Sequence, residues 1–140
     1  NRENTINTKL KTMNKLFAVV SVVFILMSSC TIGQTKNDIE LAEFEKKMAS
    51  EKYLLVDVRT AEEFSEGHIK EAINIDYLAE NFSIEIQELE LESPVLLYCR
   101  SGNRSSKAMK IMKELGFKEV YNLEGGIKGW ISSNNPVIIE

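Results

Sequence analysis

The sequence predicts an α/β protein built on a mostly parallel sheet, and three observations lead there. Short strand-like runs recur at 53–58, 72–75, 95–98 and 120–123. The first, Tyr53-Leu54-Leu55-Val56-Asp57-Val58, is nearly continuous in apolar character, as expected of a strand buried on both faces of a parallel sheet. Segments with helical spacing separate the runs, so strand and helix alternate along the chain, the order that crossover connections turn into parallel pairing. At 140 residues there is room for one domain and little else. A hydrophobic fraction of 44% and a charged fraction of 27% are those of an ordinary globular protein. No segment repeats at a fixed period.

The formal charge of -4 hides an asymmetry. Four of the 17 basic residues (Arg2, Lys9, Lys11, Lys15) lie before residue 30, against one of the 21 acids, Glu3. The chain from Cys30 onward is therefore strongly acidic, which argues against a nucleic-acid partner, whose phosphates require a basic face. The arginines of that acidic part are few: Arg59, Arg100 and Arg104.

The N-terminal region reads as an upstream extension over 1–12 and an export signal over 13–29. Met13-Asn14-Lys15 starts a short positive region, and Leu16 to Met27 is apolar apart from Ser21. That run has the length of a signal core and falls short of the ~20 residues needed to span a bilayer. Met27-Ser28-Ser29-Cys30 is similar to the lipobox of bacterial lipoproteins, with Met where Leu is usual. The leading expectation is lipidation at Cys30 and a domain held at the cell envelope or periplasm by that lipid alone. The alternatives are soluble export after cleavage near Gln34 and a retained anchor. A Cys30–Cys99 disulfide is not expected, because lipidation forbids it and Cys30 lies on a tail with no reason to dock.

Residues 30–37 read as a tether and 38–140 as the domain, expected to be a monomer. Asp38-Ile39-Glu40 is either a short edge strand or a helix entry. Leu41, Phe44 and Met48 form a helical apolar stripe. Thr60-Ala61-Glu62-Glu63 is a capping box that starts a short helix ended by Gly67. Leu78, Phe82, Ile86 and Leu89 place an amphipathic helix over 77–90, and Pro94 introduces the strand 95–98. A helix starting at Ser105 or Ser106 runs to Gly116. After the strand 120–123, Gly125-Gly126 turns into a last helix over 127–133, with Trp130 in the core.

The chemistry centres on Tyr98-Cys99-Arg100-Ser101-Gly102-Asn103-Arg104-Ser105. A free thiol has a pKa of ~8.5, so little of it is thiolate at neutral pH. A helix N-terminus contributes ~0.3–1 kcal/mol, up to about 2 when sheltered. That is about one pKa unit at roughly 1.4 kcal/mol per unit. Further lowering is expected from Arg100, Arg104 and the loop amides, acting as an anion nest. The same donors suit an anionic substrate.

These motifs resemble the rhodanese family over about residues 38–134. Asp57-Val58-Arg59, Glu63-Phe64 and Gly67-His68-Ile69 look like its first signature. Cys99 to Ser105 looks like its active-site loop. Gly116-Phe117, Val120-Tyr121-Asn122-Leu123, Glu124-Gly125-Gly126-Ile127 and Trp130 look like its closing segment. The resemblance implies a five-stranded, mostly parallel sheet with helices on both faces. It also implies a sulfurtransferase in which Cys99 carries sulfane sulfur as a persulfide. In that scheme Cys99 takes sulfur from a small anionic donor such as thiosulfate and hands it to cyanide or a thiol. Arg100, Ser101, Gly102, Asn103, Arg104 and Ser105 line the substrate, with the two arginines on the donor's sulfonate. Asp57 and Arg59 support the site by stitching the first strand to neighbouring loops. Ser105 either donates into the loop or caps the helix, and His68 reads as a structural hydrogen-bonder. Glu71 and Asp76 stand where family members often have Gly and Pro, so a local turn is expected to differ. No cofactor is implied, and one histidine without clustered cysteines cannot build a zinc site.

Two rival functions differ in class. A cysteine phosphatase or arsenate reductase needs Arg as the sixth residue after the cysteine, to grip a tetrahedral oxyanion bidentately. Here that position is Ser105, and Arg104 comes one residue early. A non-catalytic sulfur carrier or interaction module is the other alternative, against which the presence of Cys99 speaks.

Overall fold

Three mostly apolar strands of four residues, with a two-residue strand at each edge, assemble into a sheet whose two faces are each covered by helices. The computed structural model describes residues 37–139, within one compact unit, Lys36–Glu140. The upstream extension, the export signal, Cys30 and all of the tether except Asn37 lie outside the described residues. The elements in order are β1 (Asp38–Ile39), α1 (Leu41–Met48), β2 (Leu54–Asp57), α2 (Ala61–Ser65), β3 (Ile73–Asn74), α3 (Phe82–Glu85) with a 3-10 turn (Ile86–Glu88), β4 (Val95–Tyr98), α4 (Asn103–Glu114), β5 (Val120–Leu123) and α5 (Gly126–Ser132). The sheet has five strands in the order β1-β5-β4-β2-β3, and every pairing is parallel. The α/β fold with helices on both faces is therefore as expected. Asp38-Ile39, left open by the sequence, is an edge strand paired with Asn122-Leu123. Asn37, assigned to the tether, already joins the sheet: its carbonyl accepts from the Asn122 amide at 2.7 Å.

Strand parity divides the core. Val56, Val95, Leu97 and Cys99 point to one face, where they pack with Phe82 and Ile86 and with Ala108, Met109 and Met112 of α4. Leu55, Leu96, Tyr98 and Leu123 point to the other, against Phe44 of α1 and Ile127 and Trp130 of α5. Each large side chain buried this way contributes ~1.5–3 kcal/mol of transfer free energy. Trp130 is in the core as expected, with its Nε1–H donated to the Pro136 carbonyl at 2.8 Å.

Two expected elements are different in the structure. The helix over 77–90 shrinks to the single turn Phe82–Glu85 and the 3-10 turn after it. Phe82 and Ile86 are buried as the spacing required, but Leu78 is 63% exposed. The reason is local hydrogen bonding. The Ile75 and Tyr77 amides donate to the Asp57 and Val58 carbonyls and keep this segment extended along β2. Asp76 then takes the Leu78 amide on its carboxylate at 2.8 Å, a turn that competes with helix. The helix after Cys99 starts at Asn103, ahead of the serines, because Gly102 supplies the N-cap with a left-handed φ of 93°. Its carbonyl accepts the first helical bond, from Ser106. Arg104 and Ser105 are thus first-turn helix residues with fixed directions.

Candidate active site

In open parallel sheets the crevice forms beyond the C-terminal strand ends, where neighbouring strands send their connections apart. Here that point lies between β4 and β2. The chain leaves β4 through α4 toward β5, and leaves β2 through α2 toward β3 on the opposite side. The two diverging segments are Cys99–Gly102 and Val58–Thr60, and the candidate site lies where they part.

Cys99 is a free, buried thiol at the end of β4. The Gly102 amide donates to its Sγ at 3.2 Å. Burial by itself pushes the thiol up. The Ser105 hydroxyl and then the amides of Ser105, Ser101 and Gly102 outweigh that and bring it below the ordinary cysteine value. The Ser105 side chain is fully buried, and its Oγ has no partner of ordinary hydrogen-bond geometry among the described residues. The cap position belongs to Gly102, so Ser105 does not cap the helix. Of the groups expected to lower the thiol, the loop amides act ahead of the arginines, together with the Ser105 hydroxyl.

The loop is held from behind. The Cys99 carbonyl accepts from the Ile127 amide at 2.9 Å, and the Arg100 carbonyl from the Lys128 amide at 3.2 Å. Gly126, at φ +57°, touches this backbone so closely that a Cβ there would lie 2.4 Å from the Cys99 oxygen. The loop carbonyls are turned toward α5, and the loop amides are left facing the sulfur. Asn122, buried in β5, donates from Nδ2 to the Gly102 carbonyl at 3.1 Å and to Asp38 at 2.6 Å, tying the helix start to the sheet.

The two loop arginines differ. Arg100 is exposed, and its side chain makes no ion pair among the described residues. Arg104 reaches across the crevice to Glu63 of α2, with Nη1 and Nη2 at 2.6 and 2.8 Å from the two carboxylate oxygens. The Glu63 hydrogen bond is the main cause that raises the Arg104 pKa, with a further contribution from the Cys99 sulfur beside it. Asn103 and Ser101 are exposed at the rim.

Asp57 and Arg59 do stitch β2 to its neighbours. Arg59 Nε and Nη2 donate to the Asp57 carboxylate at 2.6–3.0 Å, and Nη2 also donates to the Gly67 carbonyl at 2.8 Å. Burial alone would lower the Arg59 pKa, but Asp57 outweighs it and the pKa is raised. Tyr98 lies in the same lattice, taking the Ile69 amide on its hydroxyl at 3.1 Å. Its own pKa is pushed up, by burial first and by the Asp57 charge next. Asn74 closes the turn from outside, donating to the Asp57 and Arg59 carbonyls. His68 is structural: its Nδ1 meets the Phe64 carbonyl at 3.0 Å, its ring stacks on Phe64, and its backbone pairs with Ile138.

Sequence reasoning missed Glu63 as the partner of Arg104, Tyr98 and Asn122 as buried polar supports, and the close approach at Gly126. Asn122 had a signal, a polar residue at an inward position of an apolar strand. The Glu63 contact spans 41 residues and had none.

Comparison with known proteins agrees with this geometry. The pattern of the rhodanese-like domain matches residues 40–133. A protein of Allochromatium vinosum named sulfurtransferase is 33% identical over 103 residues, covering 73% of this chain and 94% of that one. A thiosulfate sulfurtransferase of Shewanella oneidensis is 34% identical over 80 residues, covering 57% of this chain and 77% of the other. The crystal structure of a rhodanese-related protein from Thermoplasma volcanium superposes with a TM-score of 0.66 at 30% identity, covering 74% of this chain and 98% of its own. By its motifs, its fold and these relatives, the chain belongs to the rhodanese-like domain family.

Proposed function

We propose that this protein is a sulfurtransferase in which Cys99 carries sulfane sulfur from thiosulfate or a related donor to cyanide or a thiol. The observation that supports this best is the setting of the Cys99 sulfur. It lies at a strand end under the Gly102 amide at 3.2 Å, with the Ser105 hydroxyl and two further amides favouring its ionised form. In the first step the thiolate attacks the outer sulfur of thiosulfate. A Cys99–sulfur bond forms, the donor's S–S bond breaks, and its electron pair leaves on sulfite. The persulfide anion then occupies the region served by the loop amides, where fixed dipoles favour negative charge. In the second step cyanide or an acceptor thiolate attacks the outer sulfur and regenerates the thiolate. Arg100 is the open cation for the donor's sulfonate. Arg104, engaged with Glu63, is not disposed for the bidentate oxyanion grip of a phosphatase.

The test is intact-mass analysis of the protein after exposure to thiosulfate, followed by thiocyanate assay with cyanide. The expected result is a gain of one sulfur atom on Cys99, its removal by cyanide, and loss of both in Cys99→Ser. A wild-type protein that folds and gains no sulfur defeats the reading in favour of a non-catalytic module.

A further inference from the structure

A cleft built only to attract a dianion would leave both of its guanidinium groups open. Here one of them is neutralised. Arg104 gives two N–H groups to Glu63, and the two side chains are 21% and 27% exposed, at the rim of the cleft. Glu63 is itself anchored. The Thr60 amide donates to Glu63 Oε2 at 3.2 Å, and the Glu63 amide donates back to Thr60 Oγ1 at 3.3 Å. Through the Arg104 hydrogen bond its carboxyl is lowered to about 2, so it is ionised wherever a thiolate exists. Beside the reacting sulfur the pair keeps the planar N–H donors of an arginine without its net charge.

We propose that Glu63 is a specificity-determining residue that biases the site against dianionic thiosulfate and toward monoanionic sulfane-sulfur donors of the organic thiosulfonate class. The proposal rests on the sulfurtransferase reading of Cys99. Both donors react alike: the thiolate bonds to the outer sulfur and the donor's S–S bond breaks. The electron pair leaves on sulfite in one case and on a sulfinate in the other. Neither reaction needs an oxidant, a reductant or a proton. They differ by one negative charge on the oxygen-bearing end, which the arginines receive. A fixed carboxylate behind Arg104 opposes the second charge more than the first.

The experiment measures kcat/KM for thiosulfate and for methanethiosulfonate, with cyanide as acceptor, in the full chain and its Glu63→Gln and Glu63→Asp variants. In Glu63→Gln the thiosulfate-to-methanethiosulfonate ratio is expected to rise ~3- to 10-fold, mainly through the thiosulfate KM, as Coulomb's law gives for one charge removed at a wet rim. Glu63→Asp keeps the charge and is expected to hold the wild-type ratio. Gln also serves in a capping box, so the helix start survives the change. A purely structural role would alter both donors together. An unchanged or lower ratio in Glu63→Gln, or an equal rise in Glu63→Asp, overturns the proposal while leaving the persulfide intact. Failure of both donors to place sulfur on wild-type Cys99 overturns the sulfurtransferase reading and this proposal with it.

Discussion

Two carboxylate–arginine pairs flank the same crevice, and they differ in nearly every physical respect. Asp57–Arg59 is formed two residues apart at the end of β2, with side-chain exposures of 0% and 7%. Arg59 Nη2 also donates to the Gly67 carbonyl, which ties the pair to the next loop. Glu63–Arg104 is formed between two helices 41 residues apart and lies at the rim. The first pair is part of the frame and the second is part of the cleft. Identical chemistry does two jobs because burial changes what an ion pair costs to break. A charge stranded in the interior is destabilising by several kcal/mol, whereas a rim charge is re-solvated by water.

That contrast is tested most strongly by stability. Arg59→Ala strands Asp57 in the interior and is expected to destabilise the fold by ~3–5 kcal/mol. Arg104→Ala is expected to cost about 1 kcal/mol, and to show in sulfur uptake in place of the melting curve. Urea denaturation of the two variants compares them directly, and similar losses would erase the distinction between frame and cleft.

A smaller effect separates the amide cradle from the arginines. The midpoint of Cys99 alkylation by iodoacetamide should lie below the free-cysteine value of ~8.5. Ser105→Ala removes a hydroxyl that favours the charged form and so raises the midpoint. A midpoint that does not move would assign the lowering to other groups.

The smallest expected effect lies away from both pairs, at Glu71, which holds a left-handed φ of 69° where the family resemblance leads one to expect glycine. Glu71→Gly should relieve that strain and stabilise the protein by roughly 0.5–1 kcal/mol. Thermal melting reads the gain, and sulfur transfer should stay unchanged.

Much of this is legible in the sequence, for identifiable reasons. The strands announce themselves because residues buried on both faces must be apolar throughout, as Val95-Leu96-Leu97-Tyr98 is. The capping box at Thr60 and Glu63 is readable because its partners are three residues apart, and both of its bonds are present. The expected helix over 77–90 fails where one carboxylate, Asp76, satisfies a backbone amide better than another helical turn would. The true start of α4 is hidden because a glycine in a left-handed turn leaves no side-chain signature of a cap. Within the site, Cys99 and its loop are evident, but what each loop residue does is not. The sequence points Arg104 at the substrate, and its pairing with Glu63 follows from how α2 and α4 are set across the sheet. Residues that meet only after folding leave no spacing to read.

The contacts behind the loop carry one more consequence. With the Cys99 and Arg100 carbonyls tied to the Ile127 and Lys128 amides and Gly126 packed against them, the peptide planes of the loop are held from behind. In the proposed cycle, when negative charge on the sulfur moves outward by one atom, from thiolate to persulfide, the dipoles around it are already aligned. Water would have to reorient around such a charge at each turn of a cycle, and this loop does not. The missing side chain of Gly126 is what lets α5 come close enough to hold those peptide planes.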